Sequence, residues 1–303
     1  MVLAVHPVYG RNKGGMKMRS LYRAFFVLSA LLMMNLACAA DSNGQPPLIL
    51  AVHPYLPHDE LISRFTPLAD YIARAVGRTV AVRIGRDYEE HINAVGGDQV
   101  DIAYIGPAEY VKMVAKYGKK PLLARQEIDG QPYLKGEIIV RQDSPLQSLS
   151  ELKEKRFVFT DASSTMGSLL PQYMLIKAGV PLNRLADHKF MEGHENVALA
   201  VLAGDYDAGA VKEETFQKFE PKGLRSLAHL PLVYDHLFVA SNKLPKDTVD
   251  TLRRLLLDLD KSPQGRSIMK SIHPGMTAMV SPKDSEYDNL RVILGSKGLN
   301  KIH

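Results

Sequence analysis

The sequence predicts an α/β protein in which mainly parallel strands alternate with helices. Three observations support this class. Short apolar runs typical of strands alternate along the chain with segments whose apolar residues recur at helical spacing. Hydrophobic residues make up 46% of the 303 residues, which is enough for a substantial core. Residues 91–103 and 198–210 share one plan, in which a helix end, Gly-Asp and a second aspartate lead into small and apolar residues, so we expect two lobes built from similar units.

The first part of the chain supplies the clearest strand and helix signals. Residues 48–53 form an apolar run typical of a buried strand, and residues 58–76 carry apolar side chains at helical spacing. The elements predicted next, in order, are a strand at 79–84, a helix at 88–95, a strand at 101–104, a helix from Gly106-Pro107 to Lys116, and strands near 122–125 and 135–140. Proline suits the first position of a helix because its missing N–H would have no partner within the helix.

The second part of the chain repeats the alternation. The predicted elements are a strand at 156–159, a helix at 165–177, a strand at 188–191, a helix at 195–202, a strand at 207–211, and closing helices at 247–260 and 284–294. In open sheets of this kind, ligands bind beyond the carboxyl ends of the strands. We therefore expect the functional residues to lie in the loops that follow these strands.

Residues 1–39 are predicted to be a signal peptide and not part of the fold. Basic residues at 17, 19 and 23 precede an uncharged apolar run that begins at Ala24, and small residues follow around Cys38. We expect cleavage after Ala39, with Met16 or Met18 as the alternative start and a periplasmic location. Lipid attachment at Cys38 is the lesser option, because Asn35 stands where the acylation motif has leucine.

The charge balance and the cysteine content exclude several classes of protein. The chain has 38 Lys and Arg against 33 Asp and Glu, but its first 39 residues hold five basic residues and no acidic one. The exported part is therefore neutral, and it lacks the basic excess that a nucleic-acid-binding protein needs. Cys38 is the one cysteine. A disulfide, a cysteine zinc site and a cysteine nucleophile are excluded as well.

The segment 157–171 carries the strongest functional signal. An apolar strand gives way to the hydroxyls of Ser163, Ser164 and Thr165, then to Gly167 and a helical pattern. Hydroxyls at a helix start converge with the first free backbone N–H groups, and the helix dipole favours negative charge there. The segment predicts an oxyanion site; an ordinary helix cap is the alternative.

Three motifs together resemble a known family. They are Val-Asp-Ile-Ala-Tyr-Ile-Gly-Pro at 100–107, Ser-Thr-Met-Gly at 164–167 with Pro171, and Gly-His-Glu at 193–195. Over residues 48–295 the chain resembles the phosphate-, phosphite- and phosphonate-binding proteins of ABC importers. The resemblance implies a two-lobed type II periplasmic binding protein, in which each lobe is a mostly parallel sheet flanked by helices. Lobe 1 would comprise 46–139 and 238–303, lobe 2 would comprise 140–237, and strands near 138–141 and 237–240 would form the hinge.

The resemblance also implies a set of ligand-binding residues. The family's turn matches Ser164, Thr165 and Gly167, whereas Met166 replaces its third hydroxyl. Further implied contacts are His194 in Gly-His-Glu, Tyr88 at a helix start, Tyr104 with Ile105 in place of a second aromatic ring, Glu214 as one acid, and His236 in place of the other acid, beside Asp235. Losing that second acid argues against a ligand that carries an amine.

The resulting hypothesis is a receptor that captures phosphite, phosphate or an alkylphosphonate for the transmembrane permease of an ABC importer. We expect a monomer without metal or cofactor. His53, His58 and His91 are not expected to bind a metal, because Pro54 and Pro57 oppose helical spacing of the first two and no Asp/Glu–His pairing supports a site. The alternative is a sensory protein of the same fold that acts with a kinase or chemoreceptor, or that binds another small anion.

Catalysis is not expected. Ser164, His194 and Asp207 would supply the residue types of a nucleophilic triad, but the chain lacks the Gly-x-Ser-x-Gly turn that exposes such a serine. Lys212 lies just after a predicted strand, where a cation could complement an anion, but a solvated lysine of the Lys-Glu-Glu sequence is the favoured interpretation.

Overall fold

The structure is a computed structural model that describes residues 45–295. The predicted signal peptide lies outside the described residues. These residues form thirteen strands: β1 Leu48–Val52, β2 Val80–Ile84, β3 Ile102–Ile105, β4 Leu122–Ile128, β5 Tyr133–Leu134, β6 Gly136–Arg141, β7 Arg156–Phe159, β8 Asp187–Phe190, β9 Ala208–Lys212, β10 Leu224–His229, β11 Val233–Tyr234, β12 Leu237–Ala240 and β13 Met276–Val280.

Nine α-helices accompany these strands in the described part of the chain: α1 His58–Val76, α2 Tyr88–Gly96, α3 Pro107–Tyr117, α4 Leu170–Lys177, α5 His194–Ala203, α6 Glu213–Phe219, α7 Lys246–Leu257, α8 Pro263–Ile272 and α9 Asp288–Leu294. Within residues 45–295, none of the helices has both the length and the apolar character needed to cross a membrane.

The strands form two main sheets. The first has the order β13-β4-β12-β3-β1-β2, and the second has the order β10-β6-β9-β7-β8. In the first sheet β1 pairs in parallel with β2 and β3, whereas β12 is antiparallel to β3 and β4. In the second sheet β7 pairs in parallel with β8 and β9, whereas β6 is antiparallel to β9 and β10. Each sheet is therefore mixed, with four of its strands running in one direction.

The chain passes between the two sheets twice. It leaves the first sheet after Ile128 and joins the second at Gly136, and it returns between His229 and Leu237. The two crossings run side by side, because β5 and β11 pair as an antiparallel ribbon. The predicted hinge strands begin after the crossings, and β6 belongs to the second sheet from its first residue. The predicted lobe boundaries remain a prediction.

Local sequence explains where the helices next to the site begin. Asp87 caps α2, since its Oδ1 accepts a hydrogen bond from the N–H of Glu90 at 2.7 Å. The start of α3 is closed by Glu109, whose Oε2 accepts a hydrogen bond from the N–H of Gly106 at 2.9 Å. On α1, the predicted apolar positions Leu61, Phe65 and Ile72 are fully buried against the first sheet.

The predicted helix 165–177 is divided into two parts. Thr165–Leu169 forms a π-helical turn, and α4 follows it. The carbonyl oxygen of Ser164 accepts hydrogen bonds from the N–H groups of Ser168 and Leu169, which widens the turn. Gly167 allows this turn to lie directly on Thr160, because an added Cβ would lie 1.7 Å from Oγ1 of Thr160.

Candidate functional site

The predicted Ser-Thr turn faces the helix start that follows β3. Oγ1 of Thr165 accepts a hydrogen bond from the N–H of Ala108 at 3.1 Å, which joins the turn after β7 to the first residues of α3. Oγ of Ser164 accepts one from the N–H of Gly167 at 3.2 Å. The loops after strands of two different sheets therefore meet here, as the sequence predicts for a binding site.

A group of buried imidazole and carboxyl groups lies beside this contact. We call His53, His91, Glu109 and His236 the buried cluster. Nδ1 of His53 lies 3.0 Å from Oε2 of Glu109, and the rings of His53 and His236 are 4.9 Å apart. Each of these four side chains is at most 2% exposed. Tyr104 closes the cluster, because its ring stacks on His236 at 5.1 Å.

The cluster concentrates buried polar atoms that have no hydrogen-bond partner. Within the described residues there are eight such side-chain atoms, and four belong to the cluster: Nδ1 and Nε2 of His53, Nε2 of His91 and Oε1 of Glu109. Nδ1 of His53 is one of them because its 3.0 Å approach to Oε2 of Glu109 lacks hydrogen-bond geometry. Two more lie close by, Oγ1 of Thr160 under the Ser-Thr turn and Nε2 of His194 beside Lys212. An unsatisfied buried polar group costs about 1–3 kcal/mol. Such a concentration is unusual in a folded protein and marks a place where a polar ligand would supply partners.

Lys212 supplies a cation to the same region. Its Nζ lies 3.9 Å from the centre of the Tyr55 ring and 3.4 Å from Nε2 of His236. Burial lowers the pKa of Lys212 to about 8, so the amine is mainly protonated at neutral pH. The interpretation of Lys212 as a solvated lysine is wrong, because β9 ends inside the site and directs this side chain over an aromatic ring.

Burial keeps the histidines of the site uncharged. It lowers the pKa of His53, His194 and His236, and the Lys212 ammonium lowers all three further. Nδ1 of His194 accepts a hydrogen bond from the N–H of Lys212 at 3.2 Å. The hydrogen of the neutral ring is therefore on Nε2, the unpaired atom. Burial acts in the opposite direction on Glu109 and raises the pKa of its carboxyl to about 7.

Two cavities flank the buried cluster, and Tyr55 borders both. The larger, about 480 Å³, is lined by Tyr88 and His194 among the predicted residues, together with Thr160 and Asp161. The smaller cavity, about 70 Å³, is lined by the predicted residues Tyr104, Glu214 and His236, and also by Lys212. Ser164, Thr165, Met166 and Gly167 line neither of these two cavities.

Met166 and Glu214, two of the predicted residues, make contacts with other parts of the fold. Met166 is 1% exposed and packs against the start of β6, where an added Cβ on Gly136 would lie 3.0 Å from Cβ of Met166. Oε1 of Glu214 lies 3.2 Å from Nη2 of Arg64 on α1, and its Oε2 lies 3.6 Å from His273. Glu214 therefore links α6 to α1 and has its charge balanced by an arginine.

Sequence reasoning missed the roles of His53, Glu109 and Tyr55. His53 was considered only as part of a metal group with His58, but His58 is exposed and lies beside Asp59. Glutamate at the third position of a helix is an ordinary capping residue, so Glu109 gave no separate signal. The only local hint was that His53 ends one predicted buried strand and Glu109 lies five residues after another.

Comparisons with known proteins define the class. The sequence profile of the family described as "ABC transporter, phosphonate, periplasmic substrate-binding protein" matches residues 50–287, and the chain belongs to this family. The chain is 24% identical over 265 residues to the phosphate-import protein PhnD of Mycolicibacterium smegmatis, covering 79% of this chain and 83% of that one. It is 23% identical over 297 residues to a probable ABC transporter phosphite-binding protein, PhnD1, of Prochlorococcus marinus, covering 92% and 98%.

Solved structures confirm the predicted fold. PhnD1 of Prochlorococcus marinus in complex with methylphosphonate superposes with a TM-score of 0.75 at 23% identity, covering 84% of this chain and 98% of that one. The binding-protein component of an ABC phosphonate transporter from Pseudomonas aeruginosa gives 0.74 at 21% identity, covering 82% and 85%. The fold is therefore the two-lobed α/β fold of type II periplasmic binding proteins.

Proposed function

We propose that the protein binds a small phosphorus oxyanion in the periplasm and delivers it to the transmembrane permease of an ABC importer. Phosphite, phosphate and alkylphosphonates are the ligands considered. The observation that carries this proposal is the group of unpaired buried polar atoms on His53, His91 and Glu109, with those of Thr160 and His194 nearby, beside the contact of the Ser-Thr turn with the start of α3 in a chain of this family.

The groups of the site suit a tetrahedral anion. His194 offers the N–H of Nε2, and Lys212 offers an ammonium group that already lies against Tyr55. The hydroxyls of Tyr88 and Thr165 add uncharged donors at the starts of two helical segments, where the helix dipole favours negative charge. Hydrogen bonds to an ionised acceptor are strong in a buried site with a low effective dielectric constant.

We expect binding without turnover. Asp207, the third member of a conceivable triad, pairs with Arg156 through Oδ1 and Nη2 at 2.9 Å, so it does not orient His194. Oγ of Ser164 accepts a hydrogen bond from the N–H of Gly167 at 3.2 Å, which commits this oxygen to the helix cap. We also expect a monomer that binds no nucleic acid, because the exported sequence carries no excess of basic residues.

A calorimetric titration of the exported chain tests this proposal. We expect binding of at least one of phosphite, phosphate and methylphosphonate, without product formation, and a loss of at least tenfold in affinity in His194→Ala and in Thr165→Ala. His229→Ala is the matched control, because this histidine has an 83% exposed side chain and contacts Glu137 away from the site. Binding of carboxylates or amino acids alone would show that the ligand class is wrong.

A further inference from the structure

Glu109 is buried at the centre of the site with one oxygen unused. Oε2 accepts the hydrogen bond from Gly106 that caps α3, whereas Oε1 has no partner. The Cα atom of Gly106 marks the meeting point of three groups. An added Cβ there would lie 2.6 Å from Oε2 of Glu109, 3.6 Å from Nε2 of His236 and 3.6 Å from Cε1 of His53. A helix cap requires one carboxylate oxygen, so capping does not explain why the second is buried unpaired.

The groups that face Glu109 come from every neighbouring element. They are His53 after β1, Tyr88 and His91 of α2, Lys112 of α3, Asp161 after β7, Lys212 of β9 and His236 before β12. The three histidines among them are neutral because burial lowers the pKa of each. Lys112 is held by Ser163 at 3.1 Å. Burial has the larger effect on the carboxyl and raises its pKa to about 7, although the nearby Lys212 and Lys112 lower that pKa.

We propose that Glu109 shares a proton with an oxygen of the bound anion, so that anion binding takes up a proton and favours anions able to carry one. This inference rests on the proposed function. An ionised carboxylate would repel an anionic oxygen, whereas a proton between the two oxygens makes a strong O–H···O hydrogen bond. A phosphonate or phosphite can bring that proton, and a sulfonate or sulfate cannot.

The pH dependence follows from this arrangement. Below pH 7 the protein itself supplies the proton, because Glu109 is protonated there. As the pH rises through 7, the free carboxyl ionises, and an anion that carries no proton must bind together with one from solvent. Its affinity then falls by about tenfold per pH unit. Lys212, with a pKa of about 8, also titrates in this range, so a variant that removes only the Glu109 proton is needed.

The test compares methylphosphonate with methanesulfonate, which has nearly the same shape but cannot hold a proton at these pH values. In the wild type we expect methylphosphonate to bind about 10–100-fold more tightly at pH 8, the range expected for one hydrogen bond to a charged group. In Glu109→Gln the amide oxygen keeps the helix cap, and the amide N–H can donate a hydrogen bond to the anion without uptake of a proton. In this variant we expect the preference for methylphosphonate to fall to within about threefold. The affinity for methanesulfonate should decline about tenfold less between pH 7 and 8 than it does in the wild type.

Glu137→Gln is the matched control, since this glutamate is 5% exposed and fully paired with Ser226 and His229 in the second sheet. It should behave as the wild type. Titration in buffers of different ionisation heat at pH 8.5 measures proton uptake directly, and we expect about one proton fewer in Glu109→Gln. An unchanged preference and proton uptake in that variant, or no uptake by the wild type, would overturn the inference. If instead the wild type bound no phosphorus oxyanion at any pH, the proposed function itself would fail.

Discussion

Replacing Lys212 by methionine should stabilise the free protein and weaken anion binding at the same time. The pKa of Lys212 falls from 10.5 to about 8 on folding. At 1.36 kcal/mol per unit, the folded protein loses roughly 3 kcal/mol by holding this amine protonated below pH 8. The cation–π contact with the Tyr55 ring, whose centre is 3.9 Å from Nζ, stabilises the folded protein by about 1–2 kcal/mol. Methionine keeps the length of the side chain and removes the charge, so the net gain in unfolding free energy at pH 7 is about 1–2 kcal/mol.

The sign of the pH effect is fixed by the direction of the shift. Because the folded-state pKa is the lower one, the unfolded chain binds more protons between pH 8 and 10.5, and the stability of the wild type rises through that range. The advantage of Lys212→Met should therefore be complete at pH 7 and disappear by about pH 10.5. For a domain of this size it corresponds to a rise in Tm of roughly 2–8 °C.

Thermal unfolding followed by circular dichroism at several pH values measures the first effect, and calorimetric titration with methylphosphonate measures the second. We expect the affinity to fall by about 10–100-fold, as for the loss of a charge-assisted hydrogen bond. Lys135→Met is the matched control, because Lys135 lines the same small cavity but has a side chain that is 42% exposed. A Tm that falls in Lys212→Met, or an affinity that is retained, would refute the placement of this cation in the site.

Three further predictions concern other parts of the fold. Gly167→Ala should lower the unfolding free energy in urea by about 1–3 kcal/mol, because the new Cβ would lie 1.7 Å from Oγ1 of Thr160; an unchanged midpoint would contradict the packing of this turn. Glu214→Gln should tighten methylphosphonate binding about two- to fivefold at low salt by removing a negative charge near Lys212, and the gain should shrink in 1 M salt; weaker binding would argue against this electrostatic account. Asp284 bonds to Lys119, Tyr110 and Arg291, and these contacts lower the pKa of its carboxyl to about 2. The carboxylate therefore contributes stability above pH 4 that is lost as the pH falls to about 2. Asp284→Asn should lower the unfolding free energy by about 1–2 kcal/mol at pH 7 in chemical denaturation, and by little at pH 2.

The sequence was sufficient for the elements that depend on local periodicity and capping. The helix at 58–76 was predicted with the bounds of α1, and the strand at 156–159 with those of β7. The apolar pattern of α1 agrees with the face that packs on the first sheet, and the apolar run of β7 agrees with burial on both faces of this strand. The predicted bounds of the strands and helices from 79 to 117 differ from those in the structure by no more than a residue or two. The agreement is close because Asp87, Gly106 and Pro107 mark where the helices begin.

Several elements were not predicted. Strands β5, β10, β11 and β13 and helices α6 and α8 were absent from the sequence-based scheme. Helix α8 was missed although Ser262 caps it and Pro263 occupies its first position. β13 is an edge strand that contacts its sheet only through β4, about 150 residues earlier in the chain. Its alternating Met-Thr-Ala-Met-Val pattern is weak, and strand propensity depends strongly on the neighbours that a strand finds.

By itself the sequence indicated the fold class through periodicity and capping, and it indicated the family and its two-lobed fold through the resemblance of three short motifs. Only the tertiary structure decided which polar side chains lose contact with water. His53, Glu109, Lys212 and His236 come from four elements spread over more than 180 residues, and they meet only when the two sheets are in place. Burial and the unpaired atoms that it creates are properties of that long-range packing, so no local pattern reveals the protonation states on which anion binding depends.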